Sequence, residues 1–131
     1  MNKKILVLGS LLGITGIVLG AFGAHGLKTL ISIESQQTFE TGVRYQMYHA
    51  LFLLFVGGFS AILEKTKRAV FYLVLCGVLF FSGSIYGLAI NDITSFDFKI
   101  IGFITPIGGL LLIIAWVLVL MNFLKIDHDK S

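Results

Sequence analysis

The stretch Thr41–Leu63, TGVRYQMYHALFLLFVGGFSAIL, decides the fold because it joins a polar half to an apolar half within one predicted helix. The polar side chains of its first half are Arg44, Tyr45, Gln46, Tyr48 and His49. Its second half is as apolar as a membrane-spanning helix. Ionisable groups beside such a segment are costly in hydrocarbon unless they find partners or water. The stretch therefore predicts a membrane helix whose first turns meet other polar groups.

The composition of the whole chain indicates an integral membrane protein. The 131 residues are enough for one domain, and 56% of them are hydrophobic and 13% charged. The mean hydropathy is +0.94. Soluble domains carry about 25% charged residues, and a small domain buries only about 60–70% of the surface of its unfolded chain. The excess apolar surface must face lipid, so the bilayer is the first predicted partner.

Charge and cysteine content exclude other classes of protein. The net charge is +3, but the basic residues lie in short loops and at the ends of apolar runs. No basic stripe with interleaved aromatic residues is present, so nucleic-acid binding is not expected. Cys76 is the only cysteine, which rules out an intrachain disulfide and any site with several cysteine ligands. No metal and no cofactor is predicted.

Four apolar runs are long enough to cross a hydrocarbon core of about 30 Å, which takes about 20 helical residues. They cover approximately residues 5–24, 45–63, 69–90 and 100–124. All four should be helices because lipid leaves every backbone group to be satisfied within the protein. The prediction is therefore an all-α fold: an integral membrane four-helix bundle in which residues 1–131 form a single four-span domain.

The first span has features of both a signal peptide and a permanent helix. MNKK before an apolar run that ends in AFGA resembles a secretory signal. The run is longer than the usual signal core of about 7–15 residues, and its glycines share one helical face, so we expect it to be retained. These glycines are Gly9, Gly13, Gly16, Gly20 and Gly23. Such a face brings helices close together, either inside one chain or between subunits. Gly83 and Gly87 form a second step of this kind in the third span.

The positions of Lys and Arg predict the orientation in the membrane. With four spans, the N-terminus, the second loop and the C-terminus share one side, which carries seven basic residues against three on the other. The seven are Lys3, Lys4, Lys65, Lys67, Arg68, Lys125 and Lys130, and the three are Lys28, Arg44 and Lys99. Both termini are therefore predicted to be cytoplasmic.

The loops differ in character. The outer loop at residues 25–44 is compatible with a short helix on the membrane surface, capped by Ser32 or Ser35. This helix is also compatible with continuation into the second span, although Gly42 weakens it locally. The second loop, Glu64–Arg68, is predicted as a tight turn between antiparallel neighbours.

Polar residues from all four predicted spans fall at one depth when 1.5 Å is counted for each helical residue. The candidate polar cluster consists of His25, Arg44, Tyr45, Gln46, Tyr48, His49, Ser82, Tyr86 and Thr105. Each member also has an ordinary structural explanation, such as an interfacial tyrosine belt or an arginine that extends towards headgroups. We predict a shared polar layer in the outer leaflet, which is either packed or a binding site.

Pro106 is the only proline, and it lies in the stretch ITPIGG at Ile104–Gly109. It either begins the fourth helix, where proline is favoured, or kinks it. A kink would free a backbone carbonyl towards the polar layer, as in the broken helices of transporters. The sequence leaves both alternatives open.

Four motifs carry a resemblance to a known family. They are GAFGAHGL at Gly20–Leu27, TGVRYQMYHAL at Thr41–Leu51, LFFSGSIY at Leu79–Tyr86, and ITPIGG followed by Trp116. In this order and spacing they resemble the small membrane proteins of the DUF423 family, over nearly the whole chain. The resemblance implies a four-span protein of the bacterial inner membrane. It implies no established activity, so no catalytic residue is carried over.

Three functional hypotheses follow. The first is a structural or binding protein that oligomerises or associates with a membrane partner, with the polar layer holding the helices together. The second is a small channel or carrier for a solute, ion or lipid headgroup, which requires a cavity that reaches His25 and His49. The third is an enzyme, or a haem protein that uses these two histidines as axial ligands. Because no set of nucleophile, base and acid is evident, catalysis is the least favoured.

Overall fold

Four long helices make up the chain in the computed structural model, which describes residues 1–126. They are α1 (Asn2–His25), α2 (Ile33–Gly58), α3 (Glu64–Ala89) and α4 (Ile104–Leu124). Two short 3-10 helices, Asn91–Ile93 and Phe98–Ile101, connect α3 to α4. The all-helical fold class is confirmed. Lys130, which entered the charge count, lies outside the described residues.

Helix α2 begins twelve residues before the predicted start of the second span. Ser32 is its N-cap, and its hydroxyl accepts a hydrogen bond from the backbone N–H of Ser35 at 3.1 Å. Gly42 does not interrupt the helix, because it is buried against Tyr86 and Ile85 of α3. Residues 33–44 of the predicted loop are therefore nearly half of α2 rather than a separate surface helix.

The turn between α2 and α3 comes earlier than predicted, at residues 59–63 instead of Glu64–Arg68. The charged segment forms the first turn of α3, where Glu64 complements the helix dipole. The turn itself is anchored inside the protein: Ile62 is buried, and the side-chain oxygen of Asn122 accepts a hydrogen bond from the Leu63 backbone N–H at 3.0 Å. The predicted second span extended to residue 63 because the residues of this turn are themselves mostly apolar. Hydropathy alone therefore did not separate the turn from the helix.

Helix α4 starts at Ile104, which places Pro106 in its first turn. Proline is tolerated there because the N–H groups of the first turn have no partner within the helix. The chain approaches this start through Gly102, whose carbonyl accepts a hydrogen bond from the Thr105 backbone N–H at 3.3 Å. Of the two alternatives for Pro106, the structure has the helix start.

Packing is extensive between consecutive helices, and α1 also touches α3. The main apolar core lies where α2, α3 and α4 meet, and it includes Leu53, Val56, Val74 and Ala115. A smaller cluster around Phe39 closes the end of the bundle where α1 ends and α2 begins. Because lipid is as apolar as these side chains, close packing rather than removal from water holds the helices together.

The glycine face of α1 packs against α2 inside the same chain. A Cβ on Gly9 would lie 3.0 Å from the Ala50 carbonyl oxygen, and one on Gly23 would lie 2.7 Å from the Phe39 ring. Gly13, Gly16 and Gly20 face α2 between these points. In α3, Gly87 packs against Phe98, whereas Gly83 faces open space and has no helix beside it in the described chain.

Three segments are long and apolar enough to cross a membrane: Asn2–His25, Glu64–Ala89 and Phe98–Leu124. Helix α2 does not meet this description, since its first half carries the polar residues of the opening stretch. The fold is therefore a four-helix structure with three candidate spans by length and composition.

Candidate functional site

Gln46 is the centre of the polar layer between the helices. It is 4% exposed, and its amide nitrogen donates to the Leu12 carbonyl at 3.0 Å and to the Thr15 hydroxyl at 2.8 Å. Its amide oxygen accepts a hydrogen bond from the Tyr86 hydroxyl at 2.6 Å. One side chain of α2 is thus bonded to both α1 and α3. The sequence placed Gln46 to one side of the cluster and did not single out Thr15.

Two serines of α3 complete this layer. The Ser82 hydroxyl is buried and donates to the Gly42 carbonyl of α2 at 2.7 Å. The Ser84 hydroxyl bonds to the Thr105 hydroxyl at the start of α4. The layer therefore links all four helices in pairs, with α3 as the helix that reaches both α2 and α4.

His49 is buried and uses both ring nitrogens. Its Nδ1 lies 2.7 Å from the Tyr45 carbonyl oxygen, and its Nε2 lies 3.0 Å from the indole nitrogen of Trp116. The indole N–H is a donor only, so Nε2 must accept. A carbonyl oxygen is an acceptor only, so Nδ1 must carry the proton. These contacts assign a neutral imidazole in the Nδ1–H form, which leaves neither nitrogen free for a metal.

The remaining polar residues of the opening stretch face outward. Arg44 is exposed, and within residues 1–126 it has no ion pair. Tyr45 and Tyr48 contact each other edge to face, with ring centroids 5.5 Å apart, and both are exposed by more than a third. Within residues 1–126, Arg44, His49, Tyr86 and Ser82 make no hydrogen bonds to one another. Tyr86 and Ser82 of α3 bond instead to Gln46 and to the Gly42 carbonyl of α2.

His25 does not reach the layer, contrary to the depth count. It is exposed at the end of α1, two residues beyond Gly23, which packs on Phe39. His49 lies near the level of Gly13, because Ala50 packs there. The twelve intervening residues of α1 correspond to about 18 Å along the helix axis. The depth count assumed that α2 began near residue 45, whereas its earlier start moves His49 towards the middle of the helix pair. The two histidines therefore cannot ligate one haem in this fold.

The buried polar groups of the described residues are all hydrogen-bonded. Gln46, His49 and Ser82, the most buried members of the layer, therefore bond to neighbouring helices or to the backbone and leave no fully buried side-chain donor or acceptor unsatisfied. Within residues 1–126, no three His, Cys, Asp or Glu side chains come together as a possible metal site. The geometry is that of a hydrogen-bonded joint between helices.

An apolar groove runs along the surface between α2 and α4. One part has a volume of about 530 Å³ and is lined by Tyr48, Leu51, Phe52, Phe55, Trp116, Val119, Leu120 and Phe123. A second part of about 340 Å³ continues past His49 to Phe81 and Gly109. Trp116 separates the two parts, and its ring stacks on Phe52 with centroids 4.1 Å apart. The groove reaches His49 but not His25, so it is not the cavity that the carrier hypothesis required.

A second polar region, absent from the sequence prediction, lies at the opposite end of the helices. Lys67 is 3% exposed, and its ammonium donates to the side-chain oxygen of Asn2 at 3.0 Å. Asn122 is also buried and bonds the 59–63 turn through both its amide oxygen and its amide nitrogen. Hydropathy does not predict these contacts, because Asn122 is an isolated polar residue in an apolar segment and Lys67 is one of several basic residues in a charged segment.

Comparison with known proteins places this geometry in a family. The family described as "Protein of unknown function (DUF423)" matches residues 19–109. A UPF0382 membrane protein of Staphylococcus saprophyticus is 40% identical over 124 residues, which are 95% of this chain and 99% of that protein. No solved structure matches the chain.

More distant bacteria carry similar proteins. The UPF0382 membrane protein YwdK of Bacillus subtilis is 38% identical over 94% of this chain and 98% of its own length. A UPF0382 membrane protein of Haemophilus influenzae is 38% identical over 89% of this chain and 90% of its own length. With three candidate spans, the chain is a bacterial multi-pass membrane protein, and it belongs to the DUF423 family of UPF0382 membrane proteins.

Proposed function

We propose that this protein is a structural, helix-binding component of the bacterial inner membrane, in which a single domain crosses the bilayer four times with both termini in the cytoplasm. Helix α2 is the fourth span. Its 26 residues correspond to about 39 Å of helix, enough to cross the hydrocarbon core. It is tolerated in lipid because Gln46 and His49 are buried between helices and hydrogen-bonded. Intramembrane polar groups face the bundle interior for this reason.

The hydrogen-bonded state of the buried side chains in the polar layer is the single observation that carries a structural function. A carrier must offer its solute unsatisfied polar groups or a hydrated path. Here the amide of Gln46 and the imidazole of His49 are engaged by Thr15, Tyr86 and Trp116. The layer holds the helices together, and the apolar groove between α2 and α4 is a surface that a membrane partner can cover.

The occupant that we propose for this groove is a second copy of the chain, with the same face of each copy meeting across a twofold axis. The rim consists of large exposed side chains: Tyr48, Leu51, Phe55, Trp116 and Leu120. Aromatic residues that protrude beside an apolar groove make the surface self-complementary, because the aromatic residues of one copy can occupy the groove of the other. Trp and Tyr are also the residues that most often dominate binding energy at interfaces.

Cross-linking tests the interface. In a Cys76→Ser background, Leu120→Cys at the groove should form an interchain disulfide in liposomes. Ile14→Cys on the outward face of α1 is the matched control, since the two side chains are 55% and 60% exposed. We expect a dimer with Leu120→Cys only. Equal cross-linking at both positions would show random collision.

Single-molecule photobleaching of the labelled full chain in liposomes then counts the copies. Two bleaching steps in most particles are expected. A chain that bleaches in one step and gives no Leu120→Cys dimer would overturn self-association. The mass of the product cross-linked in native membranes identifies the occupant. A mass that differs from that of two chains would indicate a different membrane partner.

A further inference from the structure

A groove with basic residues at its mouth lies between α1 and α3, away from the polar layer. Its volume is about 480 Å³, and its lining is Lys3, Lys4, Val7, Leu8, Leu11 and Phe71. An adjoining depression of about 480 Å³ on the same helix shares Lys3, Val7 and Leu11. Val7 and Leu11 are each about half exposed, so the apolar part of the groove faces lipid. Neither the polar layer nor the α2–α4 groove uses these residues.

Positive charge accumulates at the mouth of this groove. Lys3 and Lys4 are exposed, and in the described part of the chain no carboxylate lies within ion-pair distance of either. Lys67 is buried just behind them, with its ammonium on Asn2. Within residues 1–126, the one ion pair at this end joins the amino group of Met1 to Glu64. Among these residues, the ammonium groups of Lys3 and Lys4 have no carboxylate partner, and Lys67 adds a third positive charge nearby.

The dimensions of the groove match a phospholipid. From Lys3 to Leu11 the helix rises about 12 Å at 1.5 Å per residue, and one leaflet contributes about 15 Å of hydrocarbon. Lys3, Val7 and Leu11 follow at intervals of four, so cation and apolar surface lie in line along one face of α1. Phe71 of α3 supplies the facing wall. A headgroup phosphate at the lysines would leave an acyl chain lying along Val7 and Leu11.

We propose that this groove binds one anionic phospholipid of the cytoplasmic leaflet, with its phosphate between Lys3 and Lys4 and an acyl chain against Val7, Leu11 and Phe71. Basic pockets between transmembrane helices on the cytoplasmic side favour anionic headgroups, and each lysine near the surface contributes about fivefold to the affinity. The site does not depend on what occupies the α2–α4 groove, and cross-linking at Leu120 leaves it untouched.

Native mass spectrometry of the full chain in a neutral detergent tests the site. Dioleoyl phosphatidylglycerol should bind saturably as one molecule per chain, and dioleoyl phosphatidylcholine should not. The double variant Lys3→Gln/Lys4→Gln should weaken the affinity for phosphatidylglycerol by about thirtyfold. The matched control, Lys28→Gln/Lys99→Gln, removes the same charge at the other end and should stay within about twofold of the parent.

A third variant separates charge from shape. Leu11→Trp fills the apolar part and leaves the lysines in place, so it should also reduce binding, provided that circular dichroism shows unchanged helix content. Val7→Phe takes its place if Leu11→Trp does not fold. Soluble glycerol 3-phosphate should not displace the lipid. The proposal is overturned by equal binding of the two lipids, by equal effects of the two lysine pairs, by an unchanged affinity in the filled variant, or by displacement with glycerol 3-phosphate.

Discussion

Gln46 has the largest predicted effect of any single side chain in the polar layer. Gln46→Leu removes three hydrogen bonds and leaves the hydroxyl of the partly buried Tyr86 without its acceptor. Polar contacts between membrane helices average about 0.6 kcal/mol each, and an unsatisfied buried group adds to the loss. We expect the free energy of unfolding to fall by about 2 kcal/mol, measured by reversible unfolding in mixed micelles.

Tyr86→Phe is the partner variant in a double-mutant cycle. It removes one hydrogen bond and leaves the buried Gln46 amide oxygen without that donor, so it should cost about 1 kcal/mol. If the two groups act as one contact, the double variant Gln46→Leu/Tyr86→Phe should be less destabilised than the sum of the single variants. Additive effects would mean that the Gln46–Tyr86 hydrogen bond contributes nothing measurable.

His49 should be a neutral imidazole with its proton on Nδ1. The indole N–H of Trp116 occupies Nε2, and the Tyr45 carbonyl occupies Nδ1. Nitrogen-15 solid-state NMR can identify this tautomer when His49 is the only histidine, in a His25→Gln/His128→Gln background. Trp116→Phe keeps the stack on Phe52 but removes the donor, so we expect the Nε2 resonance to move. A spectrum with the proton on Nε2 would contradict the assigned bond.

At the level of helices, Gly108 of α4 lies directly against the backbone of α3. A Cβ there would meet the backbone of Phe80 and Phe81 rather than a flexible side chain, so one of the helices must move. Gly108→Ala should therefore cost about 1–3 kcal/mol of unfolding free energy. Thermal unfolding of the reconstituted protein would show the effect as a lower Tm.

Gly83→Ala is the matched control on α3. A Cβ at Gly83 meets nothing within 4 Å, and alanine favours a helix over glycine by about 1 kcal/mol. This substitution should leave the protein unchanged or slightly more stable. A destabilised Gly83→Ala would place another helix against this face in the assembled protein. The pair also reverses the sequence-based expectation, which named Gly83 as a packing residue and passed over Gly108.

For the whole molecule, the sharpest prediction is the sidedness of its ends. Four crossings put both termini on the same side, which the count of basic residues predicts to be the cytoplasm, whereas three crossings would put them on opposite sides. In a Cys76→Ser background, Ser95→Cys should react with a membrane-impermeant maleimide on intact cells, because Ser95 is exposed in the α3–α4 connection. Lys65→Cys should react only after permeabilisation. The reverse pattern would contradict the count of basic residues.

A fusion reporter at each terminus completes this measurement. With a fluorescent protein that matures only in the cytoplasm, both fusions should be bright. One bright and one dark fusion would show that α2 does not cross the bilayer. The result therefore decides whether the polar half of α2 is buried within lipid depth.

The sequence was sufficient to predict the number of helices. It was insufficient to predict how far each helix is shifted along its neighbours. Length and hydropathy predict four helices, because lipid demands internal hydrogen bonding whatever the neighbours are. The depth of His49 depends on where α2 begins, and that start is determined by the Ser32 cap in a segment without a strong apolar pattern. The partners of Gln46 depend on how α1 slides along α2, which glycine contacts determine in three dimensions. Nothing in the sequence around Trp116 predicts its hydrogen bond to His49.

The anchoring of the 59–63 turn by Asn122 has a consequence for biosynthesis. The turn closes the hairpin of α2 and α3, yet its hydrogen bonds to Asn122 come from near the end of the last helix. During synthesis the α2–α3 hairpin is made before α4, so its turn lacks the hydrogen bonds to Asn122 until α4 has been made and has packed against it. A ribosome stalled before residue 122 would therefore leave a hairpin that opens readily, and quality-control proteases would have that interval in which to act on it.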